Sequence, residues 1–485
     1  MLPFVHMSPI LMTGTMYCDR KSVRSDVCIM KGDVRTDSTT SSVFIYTGNS
    51  TNGVISHDDH VLGLSDDDDN FAVVDDDEVV QHETIKPYTR KWERDVMSTV
   101  QELDLLMIKK GNSSKKSSDS CHCDVRHNVT ALFFSTSGYT GNLFHEFNDG
   151  IVPLYNTAQH LNKQVVFVIV DYKEWWPIRY GDIVRELSNY PVIDFSGDNR
   201  THCFPEAIVG LRVHDDLTIN PSLMEKAGNT KVTIGHFREF LRRAYWPRVQ
   251  TLIQDEKREA KIRLRALARS LNHSSSSLAL LAEMQAKDPK NKDSKKPKLV
   301  IMARINGSRE IINQDALVEM AEKIGFSVEV VSPIDTTELA IVYRAVSSKD
   351  VMVGVHGAAL THFLFMQPGG VFIQIIPLGM DWLSQKYFGG STVKFGLKYV
   401  GYKISPEESS LYDKYDKNDP VLVDPDSVMR RSGWEVHKQV YLAHQNVMLN
   451  LPRFRPHLLD AYNYIVSKKK RRRGRPRRHR SNSPS

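Results

Sequence analysis

Apolar residues fall along this chain in two blocks, each alternating strand-like runs with helix-like spacing. The first begins near Pro87. ALFFSTSG, from Ala131, reads as a strand running into small turn residues. HEFNDGIVPLYNTAQHL then reads as a helix, with apolar residues at Phe144, Phe147, Ile151, Leu154 and Tyr155. VVFVIVDY, from Val165, is the near-continuous apolar run of a strand buried on both faces. An amphipathic segment through Leu187 and the short strand PVIDF, from Pro191, complete a doubly wound pattern. In the second block KLVIMARI, from Lys298, predicts a strand. The helix DALVEMAEKIG follows, with Asn313 as N-cap and Gly325 just past its end. Then come the strand SVEVV, a helix over about 335–347, the strand DVMVGVH from Asp350 and the strand GGVFIQIIP from Gly369.

The segments outside these blocks carry different patterns. Residues 1–85 read as a stem-like region, poorly ordered in places, with an aspartate-dominated stretch from Asp66 to Glu78. That stretch reads as a solvated acidic insertion rather than a metal cage, because its carboxylates repel one another without intervening structure. The Ser- and Lys-rich residues 266–297 predict a linker. Domains are therefore expected at 86–265 and 298–464, with a disordered basic tail at 465–485. The apolar stretch 351–380 is broken by His356, Gln367, Pro368 and the Gly369-Gly370 pair, so it reads as buried strands and not a membrane span. MLPFVHMSPILMTG at the N-terminus shows neither a basic segment nor a long apolar core, so no clean signal peptide is legible.

Charge alters this picture at one place. The net charge of +6 becomes −4 once the ten Lys and Arg residues from Lys468 to Arg480 are set aside. The basic surplus belongs to the tail, which argues against a nucleic-acid-binding surface over the folded part. Five cysteines, all in the first half, are too few for a disulfide scaffold, but one or two bridges there are expected. Cys121-His122-Cys123 is spaced too tightly for a zinc pair. Sequons at Asn49, Asn112, Asn128, Asn199, Asn272 and Asn306 give weak support for a lumenal protein.

Two groups of residues could carry chemistry. In HGAALTH, from His356, a buried strand runs into Gly357, Ala358 and Ala359, which let a ligand approach the backbone closely. Amides at the following helix start suit a diphosphate, and Thr361 adds a hydroxyl. A tight strand-to-helix turn with no ligand explains the same small residues equally well. Arg304 and Arg309, in ARINGSR, fall on the same carboxyl edge and tip the balance toward a nucleotide diphosphate held without an obligatory metal. In HEFNDG, His145 and Asp149 are four apart and share a helix face. Either could deprotonate an acceptor hydroxyl, although Asp149 could equally cap a helix or pair with an arginine.

The spaced set of motifs resembles the plant members of glycosyltransferase family 61, the xylan arabinosyl- and xylosyltransferases. It comprises SDVCIMKGDVR from Ser25, KPYTRK from Lys86, GNLFHEFNDGIVPL from Gly141, TIGHFREFLRRAYW from Thr233, ARINGSREIIN from Ala303, VGVHGAALTHFLFMQPGGVFIQIIPLG from Val353, ESSL from Glu408 and FRPHL near Phe454. The resemblance implies an α/β protein of GT-B-like fold, two Rossmann-like domains facing a cleft, and an inverting pentosyltransferase using UDP-arabinofuranose or UDP-xylose. It implies no cofactor beyond that donor. The donor would lie at Arg304, Arg309, His356, Gly357, Ala358 and Thr361. The acceptor, a xylan-type polysaccharide, would lie near the catalytic pair, with Asp149 the preferred base and His145 second. The family is Golgi-lumenal and membrane-anchored, in the company of other wall-synthesis glycosyltransferases, but the anchor is not visible in this sequence. Family loops often read HGAGLTN where this chain has Ala359 and His362. The acidic insertion and basic tail are also departures. Rival readings are an inactive scaffold of the same family and a DNA-binding protein whose RGRP, from Arg473, resembles an AT-hook; nucleic acid is the less expected partner.

Overall fold

The computed structural model describes residues 14–47, 78–109, 122–224, 231–270, 296–305 and 307–473. They form two α/β units, Met1–His214 with Pro221–Lys231 and Asp215–Asn220 with Val232–Ser485.

The first unit is built on a ten-stranded mixed sheet. Its strands are β1 (Thr15–Asp19), β2 (Val27–Asp37), β3 (Ser42–Thr47), β4 (Glu78–Ile85), β5 (Leu103–Lys109), β6 (Val125–Arg126), β7 (Thr130–Ser135), β8 (Val165–Val170), β9 (Ile193–Asp194) and β10 (His202–Val209). The main path runs β4-β5-β3-β2-β10-β7-β8-β9, with β1 on β2 and β6 on β10. Strands β10, β7, β8 and β9 are mutually parallel, and every residue of β7 and β8 is buried. Burial of these runs at about 25 cal/mol per Å² of apolar surface makes this the anchor of the unit.

The stem expected at 1–85 is different in the structure. β1 to β4 belong to the sheet, and β2 pairs antiparallel with β10, contributing Cys28, Met30 and Val34 to the core. Disulfides Cys18–Cys28 and Cys123–Cys203 tie β1 to β2 and the β6 approach to β10, as the cysteine positions led one to expect. Most of the acidic stretch lies outside the described residues, and Glu78 opens β4. The sequons at Asn49, Asn112, Asn272 and Asn306 also lie outside them, whereas Asn128 and Asn199 are exposed.

The second unit carries five parallel strands, β11 (Lys298–Met302), β12 (Ser327–Val331), β13 (Val351–Val355), β14 (Val371–Ile376) and β15 (Lys398–Lys403), in the order β12-β11-β13-β14-β15. The order reverses between β11 and β13, and the carboxyl ends of such a pair are where open parallel sheets bind their ligands. The helix Gln314–Ile324 starts at Asn313, but the Asn313 side chain bonds Leu449 N and O instead of capping it. Gly325 ends that helix at φ +117, where an added Cβ would meet the Tyr462 hydroxyl at 2.9 Å.

Two sequence motifs prove structural. Glu408, of ESSL, is buried and accepts from the Tyr402 hydroxyl at 2.6 Å and from Asn450 N–H at 2.7 Å, and it pairs with Arg453. Phe454, of FRPHL, is fully buried in the core under β11, β13 and β14. Glu408→Ala should cost about 3 kcal/mol, because the tyrosine, the amide and Arg453 all lose their acceptor. Urea unfolding followed by fluorescence would read this as a lower midpoint. The C-terminal helix Leu451–Arg473 also corrects the expected start of a disordered tail. Lys468 bonds Gly369 O at 2.9 Å and Lys469 bonds Asp350 Oδ2 at 2.7 Å, so the basic run begins as docked helix. All of the RGRP element after its first residue, Arg473, and most of the expected linker lie outside the described residues.

Candidate active site

In the first unit the chemistry gathers on one irregular helix. It begins at Leu143–His145, where Asn142 accepts from Phe144 N–H, widens into a π-turn over Glu146–Ile151 and continues as Val152–Ala158. Pro153 has no N–H to offer the carbonyl of Asp149 one turn back. That carbonyl instead accepts from Thr89 Oγ1 at 2.7 Å, and Val152 N–H reaches back to Phe147 O. The sequence thus opens the helix at Asp149, as π-turns at functional positions do.

Asp149 is fully enclosed. Its Oδ2 lies 2.6 Å from His145 Nδ1 and accepts from Arg90 Nε at 2.9 Å; its Oδ1 accepts from Asn148 Nδ2 at 2.8 Å, with Arg24 Nη2 at 3.5 Å. Burial would raise this carboxyl, but the His145 hydrogen bond and the Arg90 charge outweigh it and hold Asp149 below the usual range. Arg90 Nη2 also lies 3.0 Å from His145 Nδ1, but the shorter contact is to the carboxylate, which can only accept, so the imidazole proton sits on Nδ1 and Nε2 is left as the accepting atom. His145 keeps some solvent access, with 17% of its side chain exposed against 0% for Asp149.

Arg90 was not legible as part of this site. KPYTRK marks the segment, but nothing in its pattern separates a buried arginine from the exposed Lys91 beside it. Glu93 takes Arg90 Nη1 at 2.5 Å and the Tyr139 hydroxyl at 2.9 Å, completing the network. Neighbouring Glu146 is pushed up to about 7 by burial, and its two oxygens accept from Gly141 N–H and Trp176 Nε1. It anchors the loop before the helix.

In the second unit Arg304, Arg309, His356 and Gly357 come together beyond the carboxyl ends of β11 and β13. Arg309 Nη1 donates to His356 O at 3.2 Å, and Arg304 Nε to Ser308 O at 2.7 Å. A Cβ on Gly357 would lie 2.9 Å from Arg309 Nη1 and 3.1 Å from Arg304 Nη1, so any side chain there would push at least the Arg309 guanidinium out of its present place. Among the described residues neither arginine forms an ion pair. Burial and then the charge of Arg304 push Arg309 down to about 10. Glu310 acts on Arg304 at longer range, but burial prevails there and lowers the Arg304 pKa. Two like charges held side by side, partly desolvated and without a direct ion-pair partner, are a ready anion site.

His356 is buried, and burial followed by Arg309 and Arg304 pushes it down to about 3, so it is neutral at any physiological pH. The Tyr399 hydroxyl bonds Gln374 Oε1 at 2.9 Å, which turns the Gln374 amide nitrogen toward His356 Nδ1 at 2.8 Å. Nδ1 therefore accepts, and Nε2 carries the proton as a donor. Ala358 opens a 3-10 helix over Ala358–Phe365, and the buried Thr361 Oγ1 has no hydrogen-bond partner among the described residues.

The Glycosyltransferase 61 family model matches residues 199–373. Over 92% of this chain and 78% of the relative, the sequence is 48% identical to xylan glycosyltransferase MUCI21 of Arabidopsis thaliana. The chain belongs to glycosyltransferase family 61. Rice members of the family match as well. Identity is 35% to alpha-1,3-arabinosyltransferase XAT3, over 92% of this chain and 64% of that protein. It is 30% to beta-1,2-xylosyltransferase XYXT1, over 92% and 84%. The family match spans the HGAALTH loop and both arginines of this family 61 chain, whereas His145 and Asp149 precede it.

Proposed function

We propose that this protein is an inverting glycosyltransferase that moves a pentose from a UDP-sugar onto a xylan-type polysaccharide. The observation that carries the reading is the pair of arginines, neither in a direct ion pair, packed against Gly357 at the reversal point of a parallel sheet. The relatives' xylan, arabinosyl and xylosyl activities supply the substrate class. The donor diphosphate lies on Arg304, Arg309 and the backbone after Gly357, with His356 Nε2–H and the Thr361 hydroxyl as further donors. Charge developing on the leaving UDP is stabilised by groups already in place. The GT-B-like division of labour belongs to the same proposal, with the donor on the second unit and the base on the first.

This reading makes His145 the base and Asp149 its partner, where the sequence expectation prefers Asp149. Asp149 has both oxygens occupied by donors and no solvent access. His145 Nε2 takes the proton from the acceptor hydroxyl, that oxygen attacks the anomeric carbon, and the bond to the diphosphate breaks with inversion. Asp149 holds the imidazole in the required tautomer and balances its positive charge. Two disulfides support an oxidising compartment, in keeping with the Golgi lumen. No described helix is long and apolar enough to cross a membrane.

The deciding experiment offers the purified protein a panel of UDP-sugars with xylo-oligosaccharides, with and without EDTA. Transfer of a pentose that persists in EDTA supports the reading. UDP binding without transfer to any acceptor favours the inactive scaffold. On the donor side, Gln374→Leu frees His356 to take the other tautomer and should weaken UDP binding roughly tenfold, one lost hydrogen bond's worth. Titration calorimetry would measure it, and nitrogen NMR of His356 would show the tautomer change.

A further inference from the structure

Two exposed aromatic rings are built into the network around His145. Tyr139 stacks on the imidazole, with ring centres 4.2 Å apart and planes at 25°. Its hydroxyl is tied to Glu93 at 2.9 Å. Trp92 lies under two guanidiniums, Arg24 at 5.1 Å and Arg90 at 5.2 Å from the ring centre. Arg90 also sits 5.4 Å from the Tyr139 ring and holds Asp149, so one buried side chain positions both rings and the acid of the catalytic pair. Yet Trp92 is 47% and Tyr139 37% exposed.

A lone exposed aromatic needs no explanation. Two rings fixed by charged partners, one of them in contact with the proposed base, are a different case. Arginine over an indole contributes only modestly at a surface and does not by itself account for leaving the ring open to water. Rigid, amphipathic rings offer contact area at little cost in conformational freedom, with an apolar body and a polar tip. Pyranose rings are their complement, since axial C–H groups make an apolar face and the hydroxyls project around the rim. A neutral sugar chain lying on such rings would bring one hydroxyl to His145.

We propose that Trp92 and Tyr139 form the binding surface for the acceptor chain, stacking its pyranose residues beside the hydroxyl that His145 deprotonates. This rests on the glycosyltransferase reading above. It explains why Arg90 reaches from Asp149 to both rings: the acceptor and the base are positioned by the same group.

The test is calorimetric binding of xylohexaose to the full chain and to Trp92→Ala and Trp92→Phe variants, with transfer measured separately. Trp92→Ala should weaken xylohexaose binding roughly tenfold, Trp92→Phe less, and UDP affinity should be the same in all three. Thermal melts confirm that the variants fold. The acceptor KM should rise in parallel, and the gain in affinity from xylobiose to xylohexaose should flatten. Equal xylohexaose affinity in wild type and Trp92→Ala overturns the proposal while leaving pentosyl transfer intact. Absence of transfer from every UDP-sugar, with xylohexaose binding still lost in Trp92→Ala, sinks the catalytic reading and leaves the sugar-binding surface standing.

Discussion

His145→Ala should lower kcat for pentosyl transfer by roughly 10²–10⁴, the range set by loss of a positioned general base. The acceptor KM should change much less. Folding should survive, since 17% of the side chain is exposed and Arg90 keeps its ion pairs with Glu93 and Asp149 when the imidazole, held by the Tyr139 ring, an Asp149 oxygen and Arg90 Nη2, is removed. Asp149→Asn should lose activity on a similar scale but for another reason, and its stability readout separates the two. The amide cannot hold the same tautomer, and Arg90 loses one of its two carboxylate partners while keeping Glu93. Losing a charged hydrogen bond at a buried site costs about 2 kcal/mol, less than the roughly 3–5 kcal/mol of a charge left wholly unpaired. The expected pattern is an inactive, stable His145 variant and an inactive, destabilised Asp149 variant. The reverse pattern of activities, with His145→Ala still turning over, would restore Asp149 as the base.

Asp149 also sets a pH dependence of stability. Its folded pKa is depressed relative to the unfolded chain, so the stabilisation is complete above the ordinary carboxylate range. It is lost as pH falls through the depressed folded value. Acid unfolding of wild type should therefore be steeper than that of Asp149→Asn.

Much of the fold was legible because local pattern and tertiary role coincide. Val165–Val170 is apolar throughout and buried throughout, so its place inside a parallel sheet follows from its residues. β11, β13 and β14 were legible for the same reason, and β12, none of whose residues is buried, by its valines. β1 to β4 were not, because runs such as CIM and VFIY are short and set among Thr, Ser and Asp. What makes them strands is pairing: β2 with β10, where Cys28 and Val209 are 181 positions apart, β3 and β4 with β5, and β1 with β2. β15 is an edge strand with mostly exposed or half-exposed residues, and its sequence carries correspondingly little signal. The site divides in the same way. The small residues of HGAALTH and the flanking arginines announce themselves by type and place. Arg90 and Gln374 do not, because a polar residue at a buried position is identified only by the partners that satisfy it.

Arg309→Gly should abolish measurable UDP binding, raising Kd by roughly a hundredfold, the loss of a bidentate charged contact. The apoprotein should be no less stable. Arg309 sits at φ +62, a left-handed conformation that costs a side-chain-bearing residue about 1–2 kcal/mol and glycine little. Its guanidinium is also held beside that of Arg304, whose charge opposes it, and no carboxylate is ion-paired with it among the described residues. Removing it relieves both penalties, so the apo melting temperature should hold or rise. The thermal shift that wild type shows on adding UDP should disappear. A residue kept in a costly backbone conformation, next to a like charge, is well placed for a ligand that neutralises both. A variant with unchanged UDP affinity would mean that the diphosphate is held elsewhere. A variant that unfolds would mean that Arg309 is structural, its bond to the His356 carbonyl holding the strand end.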